Sequence, residues 1–462
     1  MATMFAFDEP EINGDRVTRV RTMSTSSIGS LDEAWILPTQ NGSGFSDVAN
    51  MDAVRTPANE INTIVKDNEE PDTVGILGSR LKNMQFKDEQ TLGTSYKVDI
   101  DSDYISNSDA EFASKLRPSD FEYIKVLGRG SYGKVLLVRE KSTGRLYAQK
   151  QLKKASISIY KKTVEQTKSE RAVLESLRHP FIVKLFYALQ DQHKLYLILE
   201  YAQGGELFSH LAMEKLLSES VASFYAAELV LALAHLHNNV GVVYRDLKPE
   251  NCLLDARGHL VLTDFGLSKV ADDSGTFKTF LGTPEYMAPE VLLGLPYDFA
   301  VDWWSLGALT YDLLTGAPPF TGNNYKKVIE KIQKTKLALP YYLSAEAKDL
   351  VGRLLTKDPK ERLGSNMPND LATIKNHRFF RNINWEKLER SDSSIVPPIV
   401  PIITDPILAE NFADEFTSMA ISPADGFAIP GFHVTNADNA LFENFTFTAS
   451  NSFIEEAMAN RS

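Results

Sequence analysis

The chain has 462 residues, 43% hydrophobic and 24% charged, with a net charge of −12 and a single Cys. That much apolar material can bury one large or two modest cores, and one Cys excludes a disulfide framework. No charged-then-apolar leader opens the chain, and its longest apolar run, "VASFYAAELVLALAHLH", is interrupted by Glu228 and ends in His residues. A globular protein of a reducing intracellular compartment, without a membrane span of about 20 apolar residues, is therefore expected.

Charge divides the chain into three. Residues 1–118 carry 11 Lys+Arg against 20 Asp+Glu, residues 119–380 carry 34 against 29, and residues 381–462 carry 4 against 12. Acidic flanks around a mildly basic middle argue against nucleic-acid binding, which needs Lys and Arg concentrated on one face. In the first 118 residues, "TMSTSSIGS", "TQNGSGFSDVAN" and "KDNEEPD" keep neither a period of 2 nor one of 3.6, so this region is read as mostly disordered. "AWILP" within it is either a docking motif or scattered apolar residues of a linker, and no repeat is visible.

Regular structure is predicted from "DFEYIKVLGRGSYGKVLLVREKSTGRLYAQKQLKK" onward, where β-rich runs are joined by glycines and by "STGR", giving three strands. Gly128, Gly130 and Gly133 in "GRGSYGKV" let the backbone approach a polyanion whose phosphates successive amides can cradle. A dinucleotide-binding turn would open a helix here. "KVLLVRE" continues as strand instead, which favours a hairpin folded over a nucleotide against the plainer alternative of an ordinary glycine-rich hairpin.

Lys150 follows in "YAQK". The stretch "EQTKSERAVLESL" reads as a helix that stops before His179-Pro180 and offers Glu170 as a partner. "YRDLKPEN" then brings Asp246, Lys248 and Asn251, "DFG" lies at 264–266 and "APE" at 288–290. Each alone is an ordinary ion pair or turn, but the ordered set resembles the protein kinases over residues 121–380.

That resemblance implies an α+β fold of two lobes, a β-rich small lobe and a helical large lobe, with ATP and Mg²⁺ as cofactors. Phosphoryl transfer is catalysed by positioning and charge neutralisation. By resemblance, Lys150 holds the α and β phosphates and is oriented by Glu170; Asp246 accepts or orients the substrate hydroxyl; Lys248 neutralises the γ-phosphate; Asn251 and Asp264 hold Mg²⁺, which prefers oxygen ligands. The loop of Gly128, Arg129, Gly130, Ser131 and Gly133 would cover the phosphates. Val135, Ala148 and Leu253 would enclose adenine, and Glu200 and Ala202 would lie at the hinge, with Glu206 also counted among the nucleotide-site residues. Gln149 replaces an apolar residue usual before the Lys, and strand alternation turns it away from ATP. Cys252, in the short apolar strand "CLLD", is expected to be a buried small hydrophobe.

Lys248, two residues after Asp246, and "GTPEY" resemble serine/threonine kinases, with Thr283 bridging Asp246 and Lys248. Glu206, Glu250 and Asp312 match positions that receive substrate Arg in basophilic relatives, implying protein substrates with Arg three and five residues before the target Ser or Thr. Arg19 and Arg21 stand in that relation to Ser24, a candidate autophosphorylation site. Tyr244, Thr263 and a long tail after "HRFFRNINWEKL" resemble the AGC group, named for the cyclic-nucleotide-dependent and protein kinase C branches. In that group Phe412 would reach the adenine edge, although Ala413 stands where relatives often have Asp. Ser422 would be the turn-motif phosphosite, Thr279 the activation-loop phosphosite, and "FENFTF" the hydrophobic motif, with Thr446 as its phosphosite. There Phe442 and Phe445 would enter an apolar pocket beside the Glu170 helix, with Gln190 and Leu195 lining it.

The expected organisation is a disordered acidic region at 1–118, a catalytic domain at 121–380 and an AGC tail at 381–462. "KLYLILEYAQGGELF", "FYAAEL" and "LTDFGLSK" favour the ribosomal-protein-S6 kinase subfamily, with the serum- and glucocorticoid-regulated type as alternative and a pseudokinase scaffold as an alternative of another class. Protein kinase B is set aside because residues 1–118 lack the strand pattern of a lipid-binding domain. "FDEP" at 7–10 matches only the opening of a TOR-docking motif. The expected partners are an upstream phosphoinositide-dependent-type kinase at Thr279 and a TOR-type kinase at Thr446. Neither nucleic acid nor membrane is expected as a partner, and the expected state is a monomer of the cytoplasm and also the nucleus.

Overall fold

The computed structural model describes residues 116–130, 133–271, 277, 282–421 and 439–459. Ser24, "FDEP", "AWILP", Ser131, Thr279 and Ser422 lie outside the described residues.

Five strands of the small lobe come from the first part of the described chain: β1 (Phe121–Arg129), β2 (Gly133–Glu140), β3 (Leu146–Lys153), β4 (Leu185–Gln190) and β5 (Lys194–Leu199). The first three are those expected from the sequence. "STGR" makes the β2–β3 turn, in which Ser142 and Thr143 hydroxyls donate to the Glu140 carboxylate. Strand alternation divides β3: Lys150 points to one face of the sheet. Gln149 is fully buried on the other, where Gln151 Nε2 donates to its Oε1 at 2.7 Å.

Helix α1 (Lys161–Ser176) begins four residues before the expected "EQTK", because Thr163 and Val164 already pack inward. It buries Val164, Thr167, Glu170 and Leu174, residues three and four apart that share one helical face.

The large lobe starts with β6 (Gly205–Glu206), α2 (Leu207–Glu214) and α3 (Glu219–Ala234). Ser218 caps α3 by accepting from the Val221 amide. The helical stretch Glu219–Val240 is long and apolar enough to cross a bilayer, yet 78% of its most apolar window is buried inside the protein. Glu228, expected to interrupt it, is itself fully buried: Oε1 lies 2.6 Å from His259 Nδ1 and Oε2 accepts from the Leu260 amide. Short strands β7 (Val242–Val243), β8 (Cys252–Leu254), β9 (Leu260–Leu262) and β10 (Lys269–Val270) follow, with β6, β8 and β9 in one sheet and β7 paired with β10. Cys252 is fully buried on β8, and burial pushes its thiol pKa up. Helices α4 (Ala300–Thr315), α5 (Tyr325–Lys334) and α6 (Ala345–Leu354) are the longest that follow in the lobe.

The chain then crosses back. Asn411 Nδ2 donates to Gln203 O at 3.1 Å, and Gly205, at φ 68°, leaves room for this crossing, since a Cβ there would lie 1.9 Å from Asn411 O. The last described residues form β11 (Phe447–Thr448) and α7 (Asn451–Ala459). β11 joins β4, so the small-lobe sheet has the antiparallel order β1-β2-β3-β5-β4-β11.

Candidate active site

The site is built from opposing edges of the two lobes. Lys150 Nζ on β3 lies 2.7 Å from Glu170 Oε1 on α1 and 3.1 Å from Asp264 Oδ1, after β9. Burial alone would lower the Lys150 pKa, but the Asp264 and Glu170 carboxylates outweigh it and raise it. The Lys150 charge holds Asp264 below the usual carboxylate range, whereas burial pushes Glu170 up despite its Lys partner. Asp264 adopts a left-handed φ of 57°, a conformation sparsely populated by non-glycine residues, and accepts from the Gly266 amide at 3.2 Å.

Asp246 sits in the loop after β7. Its Oδ2 takes Lys248 Nζ at 2.9 Å and Asn251 Nδ2 at 2.9 Å, while Oδ1 has no hydrogen-bond partner among the described residues although it is buried. Burial pushes the carboxyl up, with Lys248 pulling back. The loop is fixed from beneath by the fully buried Asp302 of α4, whose two oxygens accept from the Tyr244 and Arg245 amides at 2.8 Å each. Sequence reasoning missed this residue; its signal was a carboxylate amid the apolar run of α4. No hydrogen bond joins Thr283 to Asp246 or Lys248 among the described residues; the Lys248 ammonium meets the Asp246 carboxylate at 2.9 Å and leaves Asp246 Oδ1 without a partner.

The glycine hairpin is β1–β2, with Gly128 opposite Val135 and Arg129 opposite Lys134. Gly133 has a packing reason, since a Cβ there would lie 1.6 Å from Gln151 O. Gly128 and Gly130 have none: added Cβ atoms would meet nothing within 4 Å. Val135 and Ala148 pack with Leu127, Leu137, Tyr201 and Phe412, and the Phe412 ring stacks on Tyr201 at 5.8 Å. Leu253 packs from the large lobe. Glu200 is paired with Lys184 at 3.1 Å, and Ala202 is buried beside the hinge residue Tyr201.

These groups suit a magnesium nucleotide. Asn251 and Asp264 offer the hard oxygen donors that Mg²⁺ takes alongside phosphate and water, and two bare glycines with no packing role leave the hairpin backbone open to phosphates.

Glu206 is partly buried, and burial together with the Glu250 charge pushes its pKa up to about 7. Asp312 is fully buried, with Tyr286 OH donating to its Oδ2 at 2.6 Å, so of the three carboxylates expected to receive Arg it lies deepest. At the other end of the small lobe, Phe442 and Phe445 are buried, Gln190 Nε2 donates to Phe442 O at 3.0 Å, and Leu195 is buried in the same cluster.

The protein kinase domain family matches residues 121–380. The RAC-beta serine/threonine-protein kinase A of Xenopus laevis is 44% identical over 352 residues, which cover 75% of this chain and 71% of that protein. That relative is of RAC type, not of the ribosomal-protein-S6 kinase type favoured by the short motifs.

Proposed function

The chain belongs to the protein kinase domain family and is a serine/threonine kinase of AGC type, and from that premise we propose that Asp246 receives the substrate hydroxyl. One observation carries the assignment: Asp246 Oδ2 is tied down by Lys248 and Asn251, while the buried Oδ1 keeps its acceptor capacity. A carboxylate held this way accepts the hydrogen bond of an incoming Ser or Thr hydroxyl without rearrangement.

Lys150, held by Glu170, would contact the α and β phosphates, Lys248 would neutralise the γ-phosphate, and Asn251 and Asp264 would hold the magnesium ion. Magnesium-bound ATP supplies the phosphoryl group and neutralises its charge. Replacing Asp246 with Asn keeps the shape and the Lys248 contact but removes the base. Phosphotransfer should fall about 10²–10⁴-fold in single-turnover assays while nucleotide binding by titration is retained. A wild-type transfer rate for D246N refutes the role.

Basophilic selection, with Arg three and five residues before the target, belongs to the same proposal and is supported by the adjacent Glu206 and Glu250 carboxylates. An arrayed peptide library tests it. Activation by phosphates on Thr279 and Thr446, from phosphoinositide-dependent-type and TOR-type kinases, extends the reading by resemblance. A role in TOR-dependent signalling of the S6-kinase type rests on the short sequence motifs alone, since the relative above is of RAC type.

A further inference from the structure

The hydrophobic motif is followed by a second set of contacts. Phe442 and Phe445 are buried, but Thr446 is exposed. Immediately after it, Phe447 and Thr448 pair with Ala188 and Tyr187 of β4, and the Ala449 amide donates to Phe186 O at 2.9 Å. α7 then buries Ile454 and Ala457 against the outer sheet face, in the cluster that holds Phe121, Tyr147, Phe186 and Tyr187. Phe453 sits with its ring 6.0 Å from that of Phe186 and with the Arg178 guanidinium 3.8 Å from its centroid. Arg178 follows the C-cap of α1, so the tail touches the C-terminal end of that helix.

These contacts are backbone hydrogen bonds, apolar packing and a guanidinium over a ring, and none of them is made by the Thr446 side chain. Lys154 Nζ, near the motif, donates to Gln190 Oε1 and Asn439 Oδ1 at 2.9 Å each, and Arg171 pairs with Glu175 at 2.8 Å while lying over the Phe447 ring. The extension binds by strand addition and by an amphipathic helix on an apolar face, two modes that need no modification.

We propose that residues 447–459 are a second anchor, independent of Thr446 phosphorylation, seated on the surface formed by Arg178, Phe186 and Tyr187. This anchor keeps the hydrophobic motif in its pocket and so holds α1 and Glu170 inward. The inference rests on the reading that docking of Phe442 and Phe445 supports activity. Joining two weak sites through a few residues makes the second contact intramolecular, and either one then retains the other.

The test is a double-mutant cycle in the full-length protein: wild type, Thr446→Ala, Ile454→Asp and the double variant, compared by initial rate of peptide phosphorylation and by hydrogen exchange of the 447–449 amides. The double variant should lose at least about tenfold more rate than the two single losses multiplied together. The 447–449 amides should exchange faster in Ile454→Asp. A peptide of residues 441–459 added to the double variant should restore rate, which a misfolded domain would not allow. Multiplicative losses with unchanged exchange overturn the second anchor, as does a double variant that the peptide cannot rescue. If Phe442→Ala with Phe445→Ala also keeps wild-type activity, the docking reading itself fails. If that variant loses activity while the cycle stays multiplicative, only the second anchor fails.

Discussion

Glu206 is the residue whose environment makes the clearest pH statement. Burial first, then the Glu250 charge, push its pKa up to about 7, so near neutrality the carboxyl is divided between its neutral and charged forms. Only the charged form pairs with a guanidinium. The Michaelis constant for a peptide with Arg three residues before the target should therefore rise as pH falls below about 7, by at most about tenfold per pH unit. Glu206→Gln should flatten that profile and leave an Arg-free peptide unaffected; steady-state kinetics between pH 6 and 8 check both. The sign for stability follows from the same shift: a raised carboxyl pKa means the folded protein holds a proton that the unfolded chain gives up. This contribution is present at low pH and lost as pH rises through about 7. At this scale the pairing was legible: Lys150, Asp246, Asn251 and Asp264 stand in short contiguous motifs and Glu170 on a readable helix, and the structure brings Lys150 to Glu170 and Asp264, and Asp246 to Asn251. The placing of the Thr283 hydroxyl is of another kind, since no spacing encodes whether a hydroxyl comes within reach of two charged groups on a separate loop.

Among the elements, the β1–β2 hairpin separates structural from functional glycine. Gly133→Ala forces a methyl against a backbone oxygen that cannot retreat without breaking the β2–β3 ladder, and should cost about 1–3 kcal/mol of stability by denaturant unfolding. Gly128→Ala and Gly130→Ala meet open space and should lie within about 0.5 kcal/mol of wild type while weakening nucleotide binding, measured by titration. A loss of stability equal to that of Gly133→Ala would remove the phosphate-covering role from both. The sequence marked all three glycines alike. Their difference lies in what stands opposite each, which is settled by register and not by composition. Helix α1 tells a similar story: its glycine-free run was readable, but its first turn was visible only through the packing of Thr163 and Val164.

For the molecule as a whole, the tail decides whether the small lobe is complete. Truncating a buried Phe in a fixed core costs about 3–5 kcal/mol, which two such changes would make ruinous. On the docking reading proposed above, Phe442 and Phe445 belong to a tail that docks on the domain and not to its fixed core, so Phe442→Ala with Phe445→Ala should instead lower activity while the thermal transition of the domain persists. Calorimetry beside a kinase assay separates the outcomes, and loss of the transition would make the tail a structural part of the core. The bilobal fold was readable from the motif order; the sixth strand and α7 were not. Two residues of strand and nine of helix carry too little pattern, and their partners lie in β4, far away in sequence.

That distance has a bearing on biosynthesis. β11 closes an edge whose partner strand leaves the ribosome about 260 residues earlier, which at 5–20 residues per second is roughly 10–50 s before. During that interval the nascent small lobe presents the unpaired backbone of β4 and the bare rings of Phe186 and Tyr187, the kind of edge that recruits other chains. A chain cut short by premature termination between residues 290 and 447 keeps that edge for good, with every catalytic motif intact upstream. Such fragments should be found bound to holdase chaperones or in aggregates, and a ribosome stalled late in the message would yield the most adhesive form of this protein, not merely an inactive one.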